Sequence, residues 1–166
     1  MRILGIDPGS NCTGYGIVEE SGSSLKAVCW GGIRNPAKAS FPDRLKRIHD
    51  ELLGVIQKHQ PDGAAVEDLF FAVNVKSALK LGQTRGAILL TLANANLEIG
   101  EYSPLEIKQA VAGYGRAEKS QVQSMVKTLL SLKEDPEPLD ASDALAVAIC
   151  HIHSSALKTR IAGSRK

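Results

Sequence analysis

Arg2–Asp7 (RILGID) runs directly into Pro8-Gly9-Ser10. A short apolar run stopped by a turn signal reads as a buried strand, here one that ends on a carboxylate. Working outward, Gly14–Glu19 (GYGIVE) and Leu25–Ile33 (LKAVCWGGI) read as further strands, with Ser21-Gly22-Ser23-Ser24 as the hairpin loop between them. The chain therefore opens as an antiparallel meander. Later, Ala64-Ala65-Val66 repeats the design of the first strand and ends on Glu67.

Between and beyond these strands the hydrophobic period becomes helical. Ser40 and Asp43 form a capping pair ahead of Leu45, Ile48, Leu52, Val55 and Ile56. A second helix is predicted over Lys76–Asn94, with Ala78, Gly82 and Gly86 as a small-residue stripe that lets another backbone come close. Glu98–Tyr102 reads as a fifth strand, and Ser103-Pro104 caps a helix that breaks at Gly113-Tyr114-Gly115. A helix bearing Val122, Met125, Val126, Leu129 and Leu130 follows, then a loop with Pro136 and Pro138, then a last helix from Asp140 to about Leu157. The expectation is an α/β domain over residues 1–157, a mixed five-stranded sheet flanked by helices, with 158–166 as a loose basic tail.

Composition agrees with a folded domain: 166 residues, 43% hydrophobic and 23% charged. The net charge is only +2, but basic residues gather in the second half, at Lys108, Arg116, Lys119, Lys127 and Lys133. Distribution matters more than the sum for a polyanion partner. Cys12, Cys29 and Cys150 are widely spaced and odd in number, which fits small core hydrophobes in a reducing compartment. Asp7 interrupts the apolar start, and no apolar run reaches the ~18 residues of a membrane span. A cytoplasmic protein with no membrane partner is expected.

Four carboxylates stand out. Asp7 alone is better explained by its turn, and Glu67 alone slightly better by an exit into solvent. Asp140 and Asp143 share one helical face at the start of an alanine-rich helix. Capping accounts for Asp140. It accounts less well for Asp143, because Ala141, Ala144 and Ala146 bring that helix close to the sheet. Taken together, carboxylates at strand ends and a helix start suit Mg²⁺ or Mn²⁺ rather than Zn²⁺. Two such ions can drive phosphodiester hydrolysis. His151 and His153 point to different helix faces, and with His49 and His59 they read as structural or solvated.

Several segments carry a resemblance. They are Ile6–Ser10 with Thr13–Gly16, Val66–Phe70, Ser77–Gln83 with Arg85-Gly86, Glu118–Val122, and Asp140–Ala146. In this order they resemble the RuvC family of Holliday-junction resolvases over nearly the whole chain. The resemblance implies a ribonuclease-H-like fold, a homodimer, and paired symmetric nicking of four-way DNA junctions in recombination and repair. It further implies two Mg²⁺ ions per site (Mn²⁺ able to substitute) and a branch-migration helicase partner of the RuvA and RuvB type. Asp7, Glu67, Asp140 and Asp143 would be the catalytic metal ligands, Phe70 the base-stacking aromatic, and Lys108 and Lys119 the basic residues near the cut strand. Lys76, Lys80, Arg85 and Arg116 are further candidates for DNA contact. Asp68 and Val73 depart from the family, which often has Gln or Glu and then a basic residue there. Competing readings are an actin-like phosphate-binding protein, which 166 residues would not fill with two lobes, a non-catalytic junction scaffold, and an RNA-processing nuclease of the same fold.

Overall fold

Side-chain parity along the first strand organises the molecule. The computed structural model describes residues 1–68 and 74–163, the stretch 156–163 as backbone alone. Strands β1 (Arg2–Asp7), β2 (Cys12–Ser21) and β3 (Ser24–Arg34) form the expected meander. Helix α1 (Phe41–His59) leads to β4 (Gly63–Glu67), and α2 (Val75–Asn94) leads to β5 (Glu98–Tyr102). Helices α3 (Pro104–Ala112), α4 (Lys119–Leu129) and α5 (Leu139–Gly163) complete the chain. The sheet order is β3-β2-β1-β4-β5, with β1, β4 and β5 mutually parallel and the meander antiparallel. This is the mixed five-stranded sheet the sequence predicts.

Helices cover both faces. On one, Leu4, Ile6, Ala64 and Val66 pack with α1 and α2; on the other, Ile3 and Ala65 pack with α3, α4 and α5. Because side chains alternate along a strand, Asp7 and Glu67 project to the α5 side. Ile6 pairs with Val66, so the two carboxylates stand on neighbouring strand ends.

Helix α5 touches every strand of the sheet. Its approach depends on missing side chains. A Cβ on Gly5 would lie 2.0 Å from the Ala144 carbonyl oxygen, and one on Gly14 only 1.9 Å from that of Asp140. Buried Ala141, Ala144 and Ala148 complete the contact. The helix continues through Gly163 rather than ending near Leu157. Lys158-Thr159-Arg160-Ile161-Ala162 holds no glycine or proline, so nothing local stops it earlier.

The small-residue stripe on α2 packs against no other element among the described residues. Helix α2 buries Thr84, Ile88, Thr91 and Leu92. At Gly82 and Gly86 a Cβ would meet nothing within 4 Å among the described residues. Val75, Leu79 and Leu90 extend the same open stripe and are 77%, 62% and 61% exposed.

Candidate active site

The close approach at Gly14 brings the start of α5 over the ends of β1 and β4. Asp7, Glu67 and Asp143 line one open cleft of ≈ 330 Å³, walled by Pro104, Ile107, Val122 and Ala146, with Lys108 and Lys119 at its edge. Asp140 lies one helical turn before Asp143 and adds its charge at Asp7.

Each lysine is delivered by a capped helix. For α3, Ser103 and Glu106 form a capping box with Pro104 in the first turn, and Lys108 follows. For α4, the Gln121 side-chain oxygen accepts from the Glu118 backbone N–H (2.9 Å) and from the Tyr114 hydroxyl (2.6 Å). That turn fixes Lys119 at the helix start, and its Nζ donates to Asp143 Oδ2 at 2.5 Å. The Glu118–Gln121 segment thus has a local structural purpose.

The electrostatics are those of crowded like charges. Burial, then the carboxylates of Glu67, Asp143 and Asp140, push the Asp7 carboxyl up to about 8, against the pull of Lys119. Burial and Asp143 also raise Glu67, although a hydrogen bond with Asp7 and the charges of Lys119 and Lys108 hold it down. Burial alone would lower Lys119; its bond to Asp143, with the charges of Asp143, Asp7 and Asp140, outweighs this and raises it. Among the described residues no three acidic, thiol or imidazole groups stand ready as a metal cage. Asp7 and Glu67 engage each other instead, and Lys119 engages Asp143. The donor set still fits a hard divalent cation, since crowded carboxylate oxygens converge where cationic charge would relieve their mutual repulsion.

The other predicted residues scatter. Arg116 is exposed on the α3–α4 connection, and Lys76 and Lys80 are exposed on the first turns of α2, Lys80 Nζ lying 6.0 Å from the Phe41 ring centre. Arg85 is occupied by ion pairs with Asp68 (3.3 Å) and Glu101. Phe70 and Val73 lie outside the described residues. His49 meets Thr91, His151 packs edge-on to Tyr102, and His153 meets the Ala110 carbonyl, so these three are structural as expected. Cys12 is not a core residue: it is partly exposed and hydrogen-bonds Asp140, burial and that contact raising its thiol to about 11. The pairing of Asp7 with Gly14 places Cys12 near Asp140, a proximity that needs the sheet register and is not local in sequence.

Against known proteins, the model described as crossover junction endodeoxyribonuclease RuvC matches residues 3–151. The chain belongs to the RuvC family. The RuvC of Halothermothrix orenii is 52% identical over 96% of this chain and 97% of its own length. That of Alkaliphilus oremlandii is 53% identical over 93% of this chain and 94% of its own. A structure of Thermus thermophilus RuvC in complex with a Holliday junction substrate is 34% identical, with a TM-score of 0.91 over 96% of this chain and 97% of that one. The yeast mitochondrial resolvase Ydc2, 13% identical with a TM-score of 0.66, shares the fold. Family membership does not favour the actin-like, scaffold and RNA-processing readings.

Proposed function

We propose that this RuvC-family chain is an endonuclease that resolves four-way DNA junctions by paired symmetric nicks in recombination and repair. The observation that carries this is the convergence of Asp7, Glu67 and Asp143, with Asp140 behind them, on one cleft edged by Lys108 and Lys119. Asp7, Glu67, Asp140 and Asp143 would hold two Mg²⁺ ions, or Mn²⁺ in their place. When bound, such a pair activates water and stabilises the leaving oxygen of a phosphodiester. The chain's own contribution is orientation. The sheet fixes Asp7 and Glu67, α5 sets Asp140 and Asp143 above them, and Lys108 and Lys119 face the phosphate with compensating charge. Phe70 would stack on a base near the junction centre.

A junction has two-fold symmetry, and two equal cuts call for two equal sites. The open stripe Val75-Leu79-Gly82-Gly86-Leu90 supports an isologous contact through α2, because small residues flanked by exposed apolar ones let two helices approach. The dimer would work with a branch-migration helicase of the RuvA and RuvB type in the cytoplasm. No helix among the described residues is long and apolar enough to cross a membrane.

The test is incubation with a synthetic four-way junction in Mg²⁺, with duplex, splayed and hairpin controls. Asp7→Asn and Glu67→Gln should each lower cleavage by several orders of magnitude. Junction binding in chelator, measured above pH 8 where Asp7 is ionised, should hold or tighten, because repulsion of the phosphates is relieved. Near wild-type cutting by both variants would refute the assignment.

A further inference from the structure

The Arg85 guanidinium, expected on DNA, is 16% exposed and faces inward from the middle of α2. Its Nε donates to the backbone carbonyl of Glu67 (3.4 Å), and its Nη2 bridges the carboxylates of Asp68 (3.3 Å) and Glu101. These groups come from the end of β4 and from β5, so one fork joins a helix and two strands. The end of β4 needs such support. Its last pairing with β1 is at Val66, and beyond that Glu67 has a ladder neighbour on β5 only, at Tyr102. Arg85 reaches the Glu67 backbone from the α2 face while the Glu67 side chain projects to the opposite face.

We propose that Arg85 is a positioning residue that holds the Glu67 end of β4 in metal-binding geometry and neutralises Asp68 beside it. The inference rests on the reading of Glu67 as a metal ligand. A lysine would not substitute well, because one ammonium lacks the planar fork that meets three acceptors at once.

Mn²⁺ binding by calorimetry or spin resonance, without DNA and well below the melting temperature, is the deciding measurement. Arg85→Gln should weaken Mn²⁺ binding by about 10–100-fold, the usual effect of losing a group that orients a ligand. Arg85→Lys should rescue little. Cleavage at saturating junction should fall and recover as Mn²⁺ is raised. Junction affinity in chelator and its salt slope should not change. Glu101→Gln should weaken Mn²⁺ binding in the same direction by less, and it carries the test if Arg85→Gln does not fold. A salt slope reduced by about one with Mn²⁺ binding intact would make Arg85 a phosphate contact and overturn the proposal. A lowered melting temperature with Mn²⁺ binding intact would make it merely structural, with the same consequence. Asp7→Asn separates the two levels. If it abolishes Mn²⁺ binding while Arg85→Gln does not, only the Arg85 proposal fails; if it too leaves Mn²⁺ binding intact, the metal reading fails first.

Discussion

Lys119 Nζ and Asp143 Oδ2 stand 2.5 Å apart across the cleft, joining the first residue of α4 to the first turns of α5. If Asp143 is a metal ligand as proposed, lysine and metal compete for the same carboxylate. Lys119→Ala should tighten Mg²⁺ or Mn²⁺ binding a few-fold, roughly, yet cut junction cleavage by about 10²–10³ through loss of a positive group at the reacting phosphate. The ammonium side is 62% exposed, so the pair itself contributes at most ~1 kcal/mol of stability. Calorimetry and single-turnover cleavage on the same variant check both effects. Weaker metal binding in Lys119→Ala would mean that the lysine organises the ligands rather than competing with the ion.

Stability in chelator should depend on pH through the carboxylates of β1 and β4. Asp7 is raised from 3.8 to about 8, and Glu67 is raised as well. Between those values the folded protein keeps a proton on Asp7 that the unfolded chain has released. The unfolded state binds fewer protons, so this contribution to stability is present below pH 3.8 and is lost as pH rises through about 8. One such proton gives a slope of at most ~1.4 kcal/mol per pH unit. Melting curves from pH 5 to 8.5 should show the decline, Asp7→Asn should flatten it, and Mg²⁺ should suppress it. A wild-type profile parallel to that of Asp7→Asn would show that Asp7 is not carrying that proton.

Gly14→Ala should damage the site more than the fold. Its Cβ would lie 1.9 Å from a backbone oxygen at the start of α5, so the helix must shift and carry Asp140 and Asp143 with it. We expect about 1–3 kcal/mol of destabilisation and at least ~10²-fold slower cleavage at a temperature where the variant is folded. Gly54→Ala on α1 is the control, since nothing lies within 4 Å of its added methyl. It should stabilise by up to ~1 kcal/mol and cut normally. Urea melts paired with cleavage rates decide; full activity in Gly14→Ala would show that the ligands tolerate a displaced helix.

If the proposed dimer forms through α2, Gly82 separates dimerisation from folding. Among the described residues a side chain there meets nothing within 4 Å, so Gly82→Ala should raise helix stability by up to ~1 kcal/mol. Gly82→Arg should leave the protomer folded and drive light scattering from twice 17.7 kDa to that value itself. Leu79→Glu should do the same. A Gly82→Arg protein that stays dimeric would move the interface off α2.

The strands were readable because each announces itself locally: RILGID and AAVE are apolar runs stopped by an acid, and GYGIVE and LKAVCWGGI flank a turn. Parity and register then place Asp7 and Glu67 side by side, so half of the candidate site follows from strand identity alone. Arg85 shows what sequence hides. On a helix it looks like another solvated cation, and only the parallel pairing of β4 with β5 brings Asp68 and Glu101 to it. The tether of Cys12 to Asp140 is hidden for the same reason. The extension of α5 past Leu157 is not legible because a basic stretch such as Lys158-Thr159-Arg160 reads alike in a tail and in a helix end.

Helix α5 lies against all five strands, and it carries Asp140 and Asp143. In the order of synthesis, Asp7 and Glu67 leave the ribosome long before the residues that complete their surroundings. A nascent sheet therefore exposes two acids with neither Asp140 and Asp143 nor the lysine of α4 in place. If cleavage needs Asp140 and Asp143 as proposed, the ability to cut arrives only when the final helix docks, and a growing polypeptide has no complete site with which to cut the DNA it meets during translation.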